Sequence, residues 1–142
     1  MPDAIDPAVP PGFARHFRQS PLTEPWEPLY SRRTATAVVI GLRLATAHTN
    51  SRGFAHGGLI GALADNAMGL SCAHRLNNPV GGLVTISLAV DFLGRGIVGQ
   101  WLEFDTTFIK PGRAICFAQS FVTADGETIA RASASFRVLS TA

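Results

Sequence analysis

The chain has 142 residues, 46% of them hydrophobic and 15% charged, with a formal charge of +2. That length gives one domain with a core of its own and is too short for two, and eleven arginines and one lysine scattered without a block imply no nucleic-acid partner. No stretch reads as a signal peptide and no apolar run reaches spanning length, so no membrane is implied and the default compartment is the cytoplasm.

Seven of the nine prolines fall within the first 28 residues, where they block helix and ladder bonding alike. Residues 1–30 therefore read as a proline-rich tail, loose to about residue 12, followed by a docking segment pinned by Phe13, Phe17, Leu22, Trp26, Leu29 and Tyr30. Residues 31–142 read as a single folded domain. Between Thr36 and Leu44 the even positions Val38, Ile40, Leu42 and Leu44 are apolar, the pattern of a half-buried strand. A turn-rich loop from His48 to His56 leads into a predicted helix over about Gly58–Leu76, stopped by Asn77-Asn78-Pro79 with Gly81-Gly82 beyond. Four strands follow. Val84, Ile86, Leu88, Val90 and Phe92 share one face of the first, with Thr85, Ser87 and Asp91 on the other, and Leu102, Phe104 and Phe108 lead one face of the second. Pro111-Gly112 turns into a strand over Ala114–Thr123, and Asp125-Gly126 marks a two-residue hairpin into a last strand over Thr128–Leu139. The helix is apolar nearly all round and must be covered on most sides. The expected fold is α+β, an antiparallel sheet wrapped around one long central helix. Cys72 in the helix and Cys116 in a strand read as buried inert thiols, and the cysteines and histidines form no metal site.

Asp65 stands out: no other acidic side chain lies between Glu27 and Asp91, and its own helix is otherwise apolar. A carboxylate in such a setting is either catalytic or structurally paired with an arginine or strand hydroxyl. Gly57 and Gly58 open the helix, where unpaired N–H groups and the positive end of the helix dipole suit a developing oxyanion. The same pair also suits a tight strand-to-helix turn. His56 before them is an acid–base candidate or a structural hydrogen-bonding residue, and Thr85 and Ser87 either orient a water or the carboxylate or are ordinary strand-surface hydroxyls. Asp65 lies seven residues after Gly58, about 10 Å along the axis. That is too far to reach a carbonyl held at the start of its own helix, and the geometry closes if the carboxylate serves a site completed by another subunit.

Three segments in order, Asn50-Ser-Arg-Gly53-Phe-Ala-His56-Gly57-Gly58, Leu63-Ala-Asp65-Asn-Ala and Val84-Thr85-Ile-Ser-Leu-Ala-Val-Asp-Phe92-Leu93, resemble the hotdog-fold acyl-CoA thioesterases of the phenylacetate-pathway and 4-hydroxybenzoyl-CoA type. The likeness covers about residues 35–139 and departs from the family pattern at Gly94-Arg95-Gly96. It implies a homodimer, often a dimer of dimers and so a homotetramer, with active sites between subunits. Asp65 would be the nucleophile or the base for water, the Gly57 N–H would polarise the thioester carbonyl, Asn50 and His56 would help position it, and Thr85 would hold the water. Lys110-Pro111-Gly112-Arg113 with Ala114, Phe92 and Arg137 match positions that contact coenzyme A. No metal or other cofactor is called for.

The leading expectation is thus hydrolysis of an acyl-CoA to the free acid and coenzyme A. A hotdog-type hydratase or dehydratase using His56 and Asp65 is the alternative within the fold, and a non-catalytic acyl-CoA binding protein is the alternative outside catalysis. Met68, Phe54, Trp26 and Phe13 are the candidate walls of an acyl pocket, which would suit a medium-chain or aromatic group.

Overall fold

Coverage of the apolar helix organises the molecule. The structure, a computed structural model that describes residues 9–77 and 82–139, has β1 (Ala14–Arg15), β2 (Tyr30–Arg33), β3 (Val38–Arg43), α1 (Gly57–Leu76), β4 (Leu83–Phe92), β5 (Trp101–Lys110), β6 (Ile115–Ala124) and β7 (Glu127–Val138). The described strands form one antiparallel sheet in the order β1-β2-β3-β5-β6-β7-β4. α1 lies against the five strands from β3 to β4 of that order and buries Leu59, Ile60, Leu63, Ala64, Ala67, Met68, Ser71 and Cys72. Ser71 is the one polar member of that set. It accepts from the Val38 N–H at 3.0 Å and donates to the Val38 carbonyl at 3.3 Å, stitching the helix to the start of β3.

α1 begins one residue earlier than the spacing predicts. His56 caps it, its Nδ1 accepting from the Gly58 N–H at 2.8 Å. Asn77 ends it in the left-handed region at φ 51°, its N–H directed at the carbonyls of Ala73 and His74. The rest of the predicted stop, Asn78 to Gly81, lies outside the described residues, as do residues 1–8 of the expected tail.

The structure corrects three expectations about faces. β3 is buried on both sides rather than one. Its second face is roofed by Phe13, Tyr30 and Trp101, which pack with Val39 into a cluster of their own, Phe13 meeting Trp101 edge-on at 5.2 Å. Residues 9–12 belong with this roof rather than with a loose tail: Val9 packs on the cluster and Pro10 accepts from the Phe13 N–H. Gly41 makes the roof possible, because a Cβ there would lie 2.5 Å from the Trp101 ring and 2.9 Å from Phe13.

In β4 the register shifts between Thr85 and Ser87. Ile86 is an extra residue, and an extra residue reverses the in-out alternation. Thr85 therefore faces α1 together with Leu88, Val90 and Phe92, while Val84 turns to the outer face with Ser87 and Asp91. A second shift between Thr106 and Phe108 does the same in β5, so Phe108 leaves the inner face of Leu102 and Phe104 and is 56% exposed.

Candidate active site

Asp65 sits in the third turn of α1 and is half-buried. No main-chain N–H is free that deep in a helix, so a side chain must serve the carboxylate. Thr85 does so, its hydroxyl donating to Oδ1 at 2.7 Å. Thr85 and Phe92 are seven residues apart on one strand, and both meet α1 only because the bulge at Ile86 intervenes. Oδ2 carries no hydrogen bond among the described residues. Ser87, the other hydroxyl singled out in β4, is turned away and shares a hydrogen with Ser135 at 2.7 Å.

Asp65 and Thr85 open into a cleft of about 720 Å³, within the range of ligand sites. Asn66, Leu70 and His74 of α1 form one side, Leu83 and Phe136 of the sheet another, and the segment from His16 to Thr23 with Arg33 the third. The third wall is firmly built. Ser20 and Thr23 bond side chain to side chain at 3.1 Å, Arg15 pairs with Glu27 at 3.7 Å, and His48 reaches the Trp26 carbonyl from Nε2 at 2.8 Å while Nδ1 accepts from the Ala45 N–H. Burial pushes the His16 imidazole below its ordinary pKa; Glu27 raises it in part, and Arg18 and Arg33 lower it further. Sequence reasoning missed this wall. The apolar residues it proposed lie elsewhere: Met68 is inside the core, Phe13 is in the outer roof, and Phe54 stacks under Arg95 at 4.9 Å. Trp26 is half-buried and packs on the main core.

The remaining candidates gather away from Asp65. At the first turn of α1, His56 spends Nδ1 on Gly58, leaving the Gly57 N–H without a partner among the described residues. A Cβ on Gly57 would stand 3.2 Å from the Phe92 ring, so the glycine gives that ring its seat. Asn50 is turned inward on its own loop, Oδ1 accepting from the N–H groups of Arg52 at 2.9 Å and Phe54 at 3.2 Å. Gly57 is eight residues from Asp65, about 12 Å along the axis. One chain thus carries two separate groups, Asp65 with Thr85, and Asn50, His56 and Gly57 with Phe92.

Of the proposed coenzyme A contacts, Lys110 ends β5, Pro111, Gly112, Arg113 and Ala114 form the β5–β6 turn, and Arg137 stands in register between Val84 and Ile115 at the same end of the sheet. Gly112 is required by the turn itself, since a Cβ there would meet the Ile115 carbonyl oxygen. Phe92 does not join them. It lies at the opposite end of β4 from Thr85, about 23 Å along the strand.

Residues 45–137 match the family model described as the acyl-CoA thioesterase N-terminal domain. The chain belongs to this family. It is 37% identical over 131 residues to the Pseudomonas aeruginosa protein "Putative esterase PA0474", covering 92% of this chain and 97% of that one. Among solved structures it resembles a point mutant of the phenylacetic acid degradation protein PaaI from Thermus thermophilus, with a TM-score of 0.74 and 23% identity over 84% of this chain and 100% of that one. It also resembles smu.793 from Streptococcus mutans UA159 bound to acetyl CoA, with a TM-score of 0.66 and 26% identity over 72% and 81%. The expected hotdog fold is therefore present, and the protein is an acyl-CoA thioesterase, a thioester hydrolase. No helix among the described residues is long and apolar enough to cross a membrane.

Proposed function

We propose that the thioesterase works as a homodimer in which Asp65 and Thr85 of one copy face Gly57, His56 and Asn50 of the other. One observation carries this: Thr85 pins Asp65 at 2.7 Å beside an open cleft, while the unpaired Gly57 N–H of the same chain stands about 12 Å away. The exposed apolar edge of β4 supports pairing with a second copy, because a long uncovered edge strand invites association. Exposed Phe108 and Phe117 on the outer face suit a further dimer-of-dimers contact.

In the reaction, Asp65 Oδ2 takes a proton from water as the water oxygen bonds to the thioester carbon. The carbonyl oxygen becomes an oxyanion held by the Gly57 N–H of the other copy and the positive end of that helix. His56 accepts through Nδ1, so its Nε2 carries the proton and is a second donor. Collapse breaks the carbon–sulfur bond, and the proton on Asp65 passes to the departing thiolate. Direct attack by Oδ2 through an anhydride is the second form of the same chemistry. The β5–β6 turn with Arg137 takes the phosphates of coenzyme A, and Phe92, which sits with Gly57, borders the path from the other copy. A medium-chain or aromatic acyl group fits the apolar side of the cleft at Leu70 and Phe136, and the cytoplasmic acyl-CoA pool is the source of substrate.

An acyl-CoA panel with a thiol reagent tests the reading. Released coenzyme A supports hydrolysis. A change at C2–C3 without free thiol would make the protein a hydratase, and binding with neither would make it a carrier. Sedimentation at micromolar concentration should give at least a dimer, and an active monomer would overturn the composite site.

A further inference from the structure

The third wall of the Asp65 cleft is unlike the other two. His16 to Thr23 and Arg33 lie outside the family match at residues 45–137, though within the stretch aligned with the Pseudomonas aeruginosa relative. The wall is also cationic. Arg18 and Arg33 line the cleft, and among the described residues neither has an ion-pair partner or a side-chain hydrogen bond and Asp65 is the one acid that lines the cleft. Arg33 is held in place by stacking, its guanidinium 4.5 Å over the Phe17 ring, which lies 4.8 Å from the buried His16 ring. A guanidinium seated over a ring keeps N–H donors available for a planar anion such as a carboxylate.

The position of this cation follows from the ladder. Arg33 pairs with Val38 across β2 and β3, and Val38 is bonded to Ser71 of α1. Ser71 is six residues beyond Asp65, about 9 Å further along the helix. An acyl group whose carbonyl is at Asp65 and whose body lies along Leu70 ends near Arg33.

Resting on the thioesterase reading of Asp65, we propose that Arg18 and Arg33 select acyl groups bearing a carboxylate at the end remote from the thioester, so that the preferred substrates are mono-CoA thioesters of short or medium dicarboxylic acids. The apolar side of the cleft takes the methylenes or ring between the two ends. The unpaired arginines make a neutral acyl end the poorer fit, since it buries part of their hydration without replacing it.

The test compares adipoyl-CoA with hexanoyl-CoA, which differ in the terminal carboxylate. The wild-type protein should favour adipoyl-CoA in kcat/KM by roughly tenfold or more, the scale of one partly exposed charge-assisted contact. The double variant Arg18→Gln with Arg33→Gln should bring that ratio to about one, and Arg33→Lys should keep part of it. Adipoyl-pantetheine and hexanoyl-pantetheine should show the same preference, since the arginines read the acyl end. A wild-type preference for hexanoyl-CoA, or a double variant that loses both substrates in proportion, would overturn the proposal. So would a defect that appears with CoA thioesters and vanishes with pantetheine ones, because the arginines would then be binding phosphate. Affinities of the Asp65→Asn protein for the two intact CoA thioesters decide the matter without turnover. Tighter binding of adipoyl-CoA there upholds the arginine assignment even if no thioester is hydrolysed, and equal binding removes it even if hydrolysis is confirmed.

Discussion

The first and third turns of α1 are built from different parts of the polypeptide. The first turn offers main chain: an N–H without a partner among the described residues because the helix begins there, a glycine with no Cβ to obstruct it, and His56 occupying the next donor. The third turn offers side chain: a carboxylate where every backbone donor is already used, served by a hydroxyl that a strand bulge turns inward. An oxyanion needs the former and a water or acyl carbon needs the latter. The helical rise holds them about 12 Å apart within one copy, so the difference between the turns is itself the reason to expect a second copy.

Disabling each turn separately and then mixing the two proteins puts this division to its hardest test. Asp65→Asn keeps the shape and removes the base, and kcat should fall by roughly 10²–10⁴, or more if the carboxylate forms a covalent intermediate. Because Asp65 is half-buried rather than sealed in the core, melting should change little. Gly57→Pro suits the first helical position and deletes the N–H, with an expected loss of about 10²–10³ in kcat, while Gly57→Ala, which adds the same Cβ against the Phe92 ring but keeps the N–H, should lose far less. If the turns act across copies, exchanging subunits between the two dead proteins should restore about a quarter of wild-type activity, since half the dimers are mixed and each holds one intact site. No recovery after verified exchange would place both turns in one chain's site.

Thr85→Val tests the bulge that joins the strand to the third turn. The replacement is nearly isosteric, and losing one hydrogen bond to a carboxylate should lower kcat/KM by about ten- to a hundredfold. An unchanged rate would mean that Asp65 needs no help to hold its position.

How far the sequence foretold this division depends on the signal each part leaves. Asp65 was legible because a lone acid in an apolar helix violates the expected pattern, and Gly57 because paired glycines mark a helix start. The long helix and the five strands from β3 to β7 followed from their periodicity. The bulges did not, since Ile86 and Thr107 continue the apolar or β-branched character around them while reversing the faces that follow. The double burial of β3 was hidden for another reason: its roof of Phe13 and Trp101 comes from segments distant in sequence. The same holds for Arg18 and Arg33, whose place beside the cleft is set by tertiary packing, and for His48, whose partner is a carbonyl 22 residues away.

A smaller effect separates the cap from the chemistry at the first turn. His56→Ala removes the acceptor for Gly58 and should cost about 1 kcal/mol in thermal or urea unfolding, the usual worth of an N-cap. If Nε2 also steadies the carbonyl, kcat/KM should fall by more than that stability loss explains, and Gln at this position should rescue part of both.

The smallest expected effect belongs to the wall facing the third turn. His16 is buried, and burial, reinforced by Arg18 and Arg33 against the opposing pull of Glu27, lowers its pKa from the ordinary 6.5. The unfolded chain therefore takes up this proton more readily than the folded one. Stability from keeping the ring neutral is fully present above pH 6.5 and is lost as pH falls toward the folded value. Melting temperatures measured from about pH 7.5 to 5 should decline more steeply for the wild type than for His16→Gln, which has no proton to gain. The decline should accompany a loss of order in residues 16–23, read by hydrogen exchange, while the β5–β6 turn stays unaffected. Parallel melting curves for the two proteins would mean that the imidazole is solvated in solution and that the wall is looser than its contacts with Phe17 and Leu29 indicate.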